Sequence, residues 1–405
     1  MQDAWIDRAL LSLVRTIVKP ALVRISLGSP QTEITTLPSS VPTIWIKDRS
    51  ALIALLRNPQ VNFGDLYAEG RIMVEGDLVG LLESLYRVPR KRPAQLYSRW
   101  LNLTQSNSLR GSRRNVHYHY DLSNDFYRLW LDSQMVYTCA YFPQENADLE
   151  EAQRAKLDLV SRKLWLRPGE KVVEAGCGWG ALSLHMARHY GVQVKAFNIS
   201  REQLAFARER AKHEGLDGQV EFIEDDYRNV RGQFDAFVSV GMLEHVGKAH
   251  HADLGLAIQR AIGKSGRGLL HFIGRNRPTP LSPWIRKRIF PGGYPPALRE
   301  VADILGPHDY SVLDVENLRY HYARTLEHWL HAFGRSYDAV TGMFDARFAR
   351  MWRLYLAGSI AGFRVGTMQL FQVVFAGRQC GTLPWTRAYL YDEDDQSMRT
   401  QSAVL

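Results

Sequence analysis

Cysteine is scarce in this chain of 405 residues. There are three, Cys139, Cys177 and Cys380, widely spaced and with no Cys-x-x-Cys pair among them. An odd, dispersed set builds no disulfide framework, which points to a reducing compartment. Long hydrophobic runs are missing too: no window approaches eighteen uninterrupted apolar residues, and the N-terminus carries no cleavable signal pattern. A soluble, cytoplasmic protein is therefore expected. His245, His250 and His251 lie close together, but no carboxylate or cysteine spacing around them makes a metal site, and none is expected.

Apolar residues, by contrast, make up 45% of the chain, enough for a substantial core and too many for global disorder. The length suggests two domains, or one large domain with insertions. A net charge of +9 and an isoelectric point near 9.4 suit an anionic partner, either nucleic acid or an anionic membrane surface. Residues 1–114 carry sixteen Lys/Arg against nine Asp/Glu, so most of the excess precedes residue 115.

That basic segment reads as a small α+β domain with a linker. Residues 4–18 place apolar side chains at helical spacing and Pro20 stops them, which predicts an amphipathic helix. Residues 27–41, rich in Ser, Thr, Pro and Gly, read as loop or strand edge. A strand is expected at Thr43–Ile46, with helices over Arg49–Arg57 and Leu78–Leu85. Arg87-Val88-Pro89-Arg90-Lys91-Arg92-Pro93 reads as a linker whose cations suit a phospholipid headgroup. Arg110, Arg113 and Arg114 form a second basic cluster at the domain boundary.

The stretch around which the rest is organised is Lys171-Val172-Val173-Glu174-Ala175-Gly176-Cys177-Gly178-Trp179-Gly180. A short buried strand ends at an acidic residue, breaks into Gly-x-Gly-x-Gly, and gives way to a helix from Ala181. Such an elbow holds a nucleotide-like ligand, because glycines let the backbone approach it and the helix N-terminus offers unpaired N–H groups. The glycine spacing and Glu174 resemble the S-adenosylmethionine (SAM) form of the elbow in class I methyltransferases. Further strands are expected at Gln193–Ile199, Val220–Ile223, Phe234–Val240, Gly268–Ile273, Tyr310–Val315 and Phe371–Phe375. A helix over Arg201–His213 is capped by Ser200. Alternation of strand and helix predicts a mostly parallel seven-stranded Rossmann-like sheet over residues 115–390. An inserted helical cap is expected at about 275–308 and a loose tail at 391–405.

Five motifs in order make the match specific: His119-Tyr120-Asp121-Leu122-Ser123-Asn124-Asp125, Tyr137-Thr138-Cys139-Ala140-Tyr141-Phe142, Glu174 to Gly180, Asp226-Tyr227-Arg228 and Glu244-His245-Val246-Gly247. From about Asp48 to Arg378 the chain resembles the cyclopropane-fatty-acid synthases and their mycolic acid relatives. The resemblance implies SAM as cofactor and the cis double bond of a phospholipid-esterified fatty acid as acceptor. A carbocation is then deprotonated as a cyclopropane ring closes. It further implies a bound bicarbonate as base, held by Cys139, Glu244, His271, Tyr322 and the backbone of Ile273. A carbocation is quenched by water, so a dry aromatic pocket fits that chemistry.

For SAM, the resemblance places Gly176, Gly178 and Gly180 at the methionine portion, with Tyr137 and Thr138 near its carboxylate, and counts Glu174 among the cofactor-binding residues. Asn198, Ile199 and Gln203 fall at the ribose, and Asp225 or Asp226 at the adenine. It implies a peripheral location on the inner face of the membrane, contact with an anionic lipid surface, and a homodimer. Thr138 stands where serine is usual, and Ser359 where some members have cysteine. Both leave open whether the product is a ring, a methyl branch or a methylene. A nucleic-acid methyltransferase is disfavoured, because Gly241-Met242-Leu243-Glu244 replaces the Asn/Asp-Pro-Pro-aromatic run such enzymes carry after the fourth strand. A non-catalytic lipid- or SAM-binding protein is disfavoured by Cys139, Glu244 and His271 occurring together.

Overall fold

The computed structural model describes residues 2–19, 21, 23–28, 41–88 and 122–390. The cations Arg90, Lys91 and Arg92, the cluster Arg110, Arg113 and Arg114, the start of the His119-Tyr120-Asp121 motif and the 391–405 tail lie outside them. Two compact units emerge. One takes the described residues up to Thr104 together with Pro280–Pro291 and Ala323–Thr367. The other takes those from Gln105 to Thr279, Gly292–Tyr322 and those from Met368 onward.

In the first unit, strands β1 (Arg24–Leu27), β2 (Thr43–Ile46) and β3 (Ile72–Glu75) form a sheet, with β2 central, parallel to β1 and antiparallel to β3. The N-terminal helix Gln2–Val18 is tied to the next helix by the Asp7–Arg49 ion pair at 2.6 Å and buries Val14, while Trp5 and Leu13 face solvent. Helix Ala346–Arg364 packs on helices Pro59–Ala68 and Leu78–Arg87. From the segment Pro280–Pro291, Trp284 lays its indole where a side chain on Gly64 would stand, and Arg288 grips both oxygens of Asp65 at 2.8 and 2.9 Å. Neither β1 nor β3 follows from the sequence pattern alone, since each is four residues long and mixes charged with apolar side chains.

The second unit holds a seven-stranded sheet: β4 (Lys171–Ala175), β5 (Gln193–Asn198), β6 (Val220–Glu224), β7 (Ala236–Val240), β8 (Arg267–Gly274), β9 (Tyr310–Asn317) and β10 (Gln369–Gly377). Their order is β6-β5-β4-β7-β8-β10-β9, parallel except for β10, which runs antiparallel to both neighbours. Successive residues of a strand point to opposite faces, and here both faces are covered. Val172 joins Val194, Phe222, Leu182 and Met186 on one side; Val173 joins Phe197, Phe237, Leu254 and Ile258 on the other. Both-face burial explains why the central strands read as continuous apolar runs. The proline-rich segment expected as one cap divides: Pro283–Arg288 belongs to the first unit, whereas helix Leu298–Leu305 buries Val301, Ile304 and Leu305 in the core of the second.

Candidate active site

Strand order reverses beside β4, with β5 and β6 on one side and β7 and β8 on the other. A doubly wound sheet binds ligands in the crevice at the carboxyl end of the strands at such a switch point. The elbow occupies it. Gly176, Gly178 and Gly180 have φ of 85°, 54° and 83°, which a Cβ would strain. Their surroundings differ. A side chain on Gly178 would meet nothing within 4 Å, so this glycine keeps space open for a ligand. One on Gly176 would stand 3.0 Å from Met242 Cβ. Gly180, expected beside the methionine portion, is closely packed: the Phe222 ring lies 2.7 Å from where its Cβ would be, and the residue is not part of the cavity lining.

Every other residue expected to hold the cofactor lines one cavity at this elbow: Tyr137, Thr138, Glu174, Gly176, Gly178, Asn198, Ile199, Gln203, Asp225 and Asp226. Asn198 ends β5 and ties the wall together. Its amide donates to Gly178 O at 3.2 Å and Gln203 Oε1 at 2.8 Å, while its Oδ1 accepts from Ile199 N at 2.8 Å. Asp226 is committed to Arg228, with bonds of 2.7 and 2.8 Å. Glu174 accepts from the Ser183 hydroxyl, and burial pushes its carboxyl up to about 7 against the opposing effects of Ser183 and Lys156. The methyl of Thr138 sits against Gly241, with Cγ2 3.0 Å from where a Cβ there would be, so the glycine accommodates the methyl that distinguishes threonine from serine.

The five residues expected to hold a base stand outside that lining but near it. Cys139 follows Thr138, is fully buried, and points Sγ at Ala140 O, 3.1 Å away, and Leu318 O, 3.9 Å away. His271 lies on β8 opposite Val240, at the mouth of β7. Gln372 on the neighbouring β10 holds its Nδ1 at 3.0 Å; with the amide Nε2 donating, the ring proton stands on Nε2, which is buried without a partner. Burial drives this imidazole well below its ordinary range, so it is neutral. Glu244 opens helix Leu243–Val246 and accepts the Ile273 backbone N–H on Oε1 at 2.5 Å. The backbone N–H of Ile273 is thus given to Glu244. The other oxygen, Oε2, is buried and unpartnered, and burial raises the carboxyl to about 7. Tyr322 is buried in the first turn of helix Arg319–Arg335. In the first unit, Ser359 turns its hydroxyl back to Tyr355 O at 2.9 Å.

Sequence reasoning overlooked two residues of the helix Leu149–Lys163, which Asp148 caps by accepting from Glu151 N at 2.8 Å. Gln153 donates to Thr138 O at 2.9 Å and Val136 O at 3.3 Å, and Lys156 donates to Thr138 Oγ1 at 2.9 Å. They lie three residues apart among the buried residues of the helix, which include Ala152, Leu157 and Val160 but also Ser161 and Lys163. Polar side chains interrupting a buried helical stripe were the available signal.

A switch-point cavity with a glycine elbow, a SAM-type acidic strand end and a seven-stranded sheet ending in an antiparallel strand define a class I SAM-dependent methyltransferase. The profile of the mycolic acid cyclopropane synthetase family matches residues 107–373. A probable fatty acid methyltransferase of Pseudomonas putida is 35% identical over 376 residues, 87% of this chain and 92% of the relative. The cyclopropane-fatty-acyl-phospholipid synthase of Escherichia coli (strain K12) is 41% identical over 260 residues, 64% of this chain and 66% of its own. Among solved structures, mycolic acid cyclopropane synthase CmaA1 complexed with SAH and CTAB superposes with a TM-score of 0.62 at 30% identity, covering 65% of this chain and 97% of that one. The chain belongs to the mycolic acid cyclopropane synthetase family.

Proposed function

We propose that the protein adds one carbon to the cis double bond of unsaturated acyl chains in membrane phospholipids and closes a cyclopropane ring. SAM, when bound, supplies an activated methyl group. The residues present fit it: Gly178 leaves room for it, and Asn198, Ile199 and Gln203 form a pre-locked wall. The observation that carries the reading beyond generic methyl transfer is the pair of buried, unpartnered polar atoms, Glu244 Oε2 and His271 Nε2. A buried polar atom without a partner calls for an explanation, and a bound ion is one. A neutral His271 offering Nε2–H and a Glu244 carboxyl titrating near 7 suit a small oxyanion such as bicarbonate, with Cys139, Tyr322 and Ile273 around it. Such an anion accepts the proton whose loss closes the ring, in a pocket from which water is excluded.

Among the described residues no helix is long and apolar enough to cross a membrane, and the exposed Trp5 and Leu13 of the N-terminal helix suit shallow insertion beside the basic residues of 1–114. On this reading the protein acts peripherally on the inner face of the membrane, and the homodimer remains what the family resemblance implies. Incubation with SAM, bicarbonate and vesicles of unsaturated phospholipid is expected to yield acyl chains heavier by one CH₂; lipid unchanged under those conditions refutes the reading. Co-sedimentation with anionic vesicles should weaken as salt rises, and binding indifferent to both salt and lipid charge removes the electrostatic part.

A further inference from the structure

Lys156 is a buried cation that forms no ion pair among the described residues. It is 2% exposed and lines the cavity, and its Nζ has one hydrogen-bond partner among the described residues, Thr138 Oγ1 at 2.9 Å. An ammonium has three protons to donate and accepts nothing. Two of its protons therefore lack a protein acceptor, and a buried charge left this way is costly. The two carboxylates that act on it through space are occupied elsewhere: Asp132 accepts from Val136 N and Gln134 N, and Glu174 from Ser183.

The contact with Thr138 has a second consequence. Because the lysine can only donate, Thr138 Oγ1 accepts, and the threonine hydroxyl proton is turned toward a further acceptor. Ammonium and hydroxyl together make a donor pair fitted to a carboxylate. Gln153 fixes the backbone on which Thr138 stands, through Thr138 O and Val136 O, so the pair is held before any ligand arrives.

We propose that Lys156, directly and through Thr138, binds the carboxylate of the methionine portion of the cofactor and supplies its counter-charge. This rests on the cofactor reading above. Hydrogencarbonate is an anion of the same chemistry, but Cys139, Glu244 and His271 stand outside the lining of the cavity to which Lys156 contributes. The amino-acid carboxylate is therefore the occupant the geometry favours.

The test is calorimetric titration of S-adenosylhomocysteine and of S-adenosyl-3-thiopropylamine, which lacks only the carboxylate, in carbonate-depleted buffer. The wild-type protein should bind the first at least about tenfold more tightly, the scale of a charged hydrogen bond. Lys156→Met should remove that advantage by weakening the carboxylate ligand about tenfold or more while leaving the amine within about twofold. Equal loss for both ligands, or an unchanged carboxylate ligand, overturns the proposal. So does a variant that keeps the discrimination but loses activation by hydrogencarbonate, which would assign the lysine to that anion. Lys156→Gln, neutral but still able to donate to Thr138, gives the same reading if the methionine variant fails to fold. Wild-type protein that binds neither ligand would refute the cofactor reading itself, a result distinct from either of these.

Discussion

Replacing Glu244 by glutamine should make the protein more stable and nearly inactive, and the size of the gain should depend on pH. Glutamine keeps the shape and can still accept the Ile273 N–H, so the local fold has no reason to change. What it removes is an ionisable proton in a buried site. The carboxyl titrates near 7 when folded against an ordinary 4.5. Below 4.5 both folded and unfolded chains hold the proton and burial of the group costs nothing through ionisation. As pH rises from 4.5 to 7 the unfolded chain ionises while the folded one resists, so stability falls. Above 7 both are ionised and the whole penalty, about 3 kcal/mol, is present. Glu244→Gln escapes it, gaining about 1 kcal/mol at pH 5 and about 3 kcal/mol at pH 8. The raised carboxyl of Glu174 is present in both proteins and cancels from the comparison. Denaturant melts of both proteins at the two pH values, with turnover measured on the same samples, make the assay. Turnover should fall ~10²-fold or more, the scale of a proton transfer whose accepting anion is no longer held in place. A gain equal at both pH values, or none at pH 8, would refute the buried-carboxylate argument; wild-type turnover in the variant would remove Glu244 from the chemistry.

The remaining predictions separate binding from packing. Gly178→Ala places a methyl in open cavity space at positive φ, so it should lose about 1 kcal/mol of stability yet markedly weaken S-adenosylhomocysteine binding in a titration. Gly180→Ala drives its methyl into the Phe222 ring and should lose a further ~1–3 kcal/mol in a denaturant melt; equal stability of the two variants contradicts the division of roles. Gln372→Leu leaves His271 Nδ1 buried and unpaired, a loss of about 1–3 kcal/mol. It frees the ring tautomer, so turnover should drop while cofactor affinity holds; unchanged turnover removes the orienting role.

The large sheet was legible from sequence because its strands are buried on both faces. Val172, Val173, Phe237 and Val238 stand in short apolar runs, and Val194 and Ala196 alternate with the exposed Gln193 and Lys195, patterns that survive without tertiary information. The elbow was legible for the same reason, down to the residues that share its cavity. What the sequence does not show is whatever a distant partner decides. Gly180 looks like its two neighbouring glycines in the sequence, and only Phe222, brought in by β6, makes it a packing position. Gly64 gives no hint that Trp284, far along the chain, fills its space. Lys156 reads as one more surface lysine until its helix is seen to turn that face inward onto Thr138. The pairing of Glu244 with the Ile273 amide is likewise a product of β7 and β8 lying side by side.

On the proposed function, the carbon leaving SAM ends in a ring on a lipid acyl chain. The most direct measurement supplies SAM labelled with carbon-13 in its methyl group, together with monounsaturated phospholipid vesicles and hydrogencarbonate, and reads the extracted lipids by mass spectrometry and proton NMR. The account predicts acyl chains that gain one labelled carbon, lose their olefinic protons and show cyclopropane methylene protons. Labelled chains carrying a methyl branch or vinylidene protons instead would contradict ring closure, and lipids that take up no label would contradict the account as a whole.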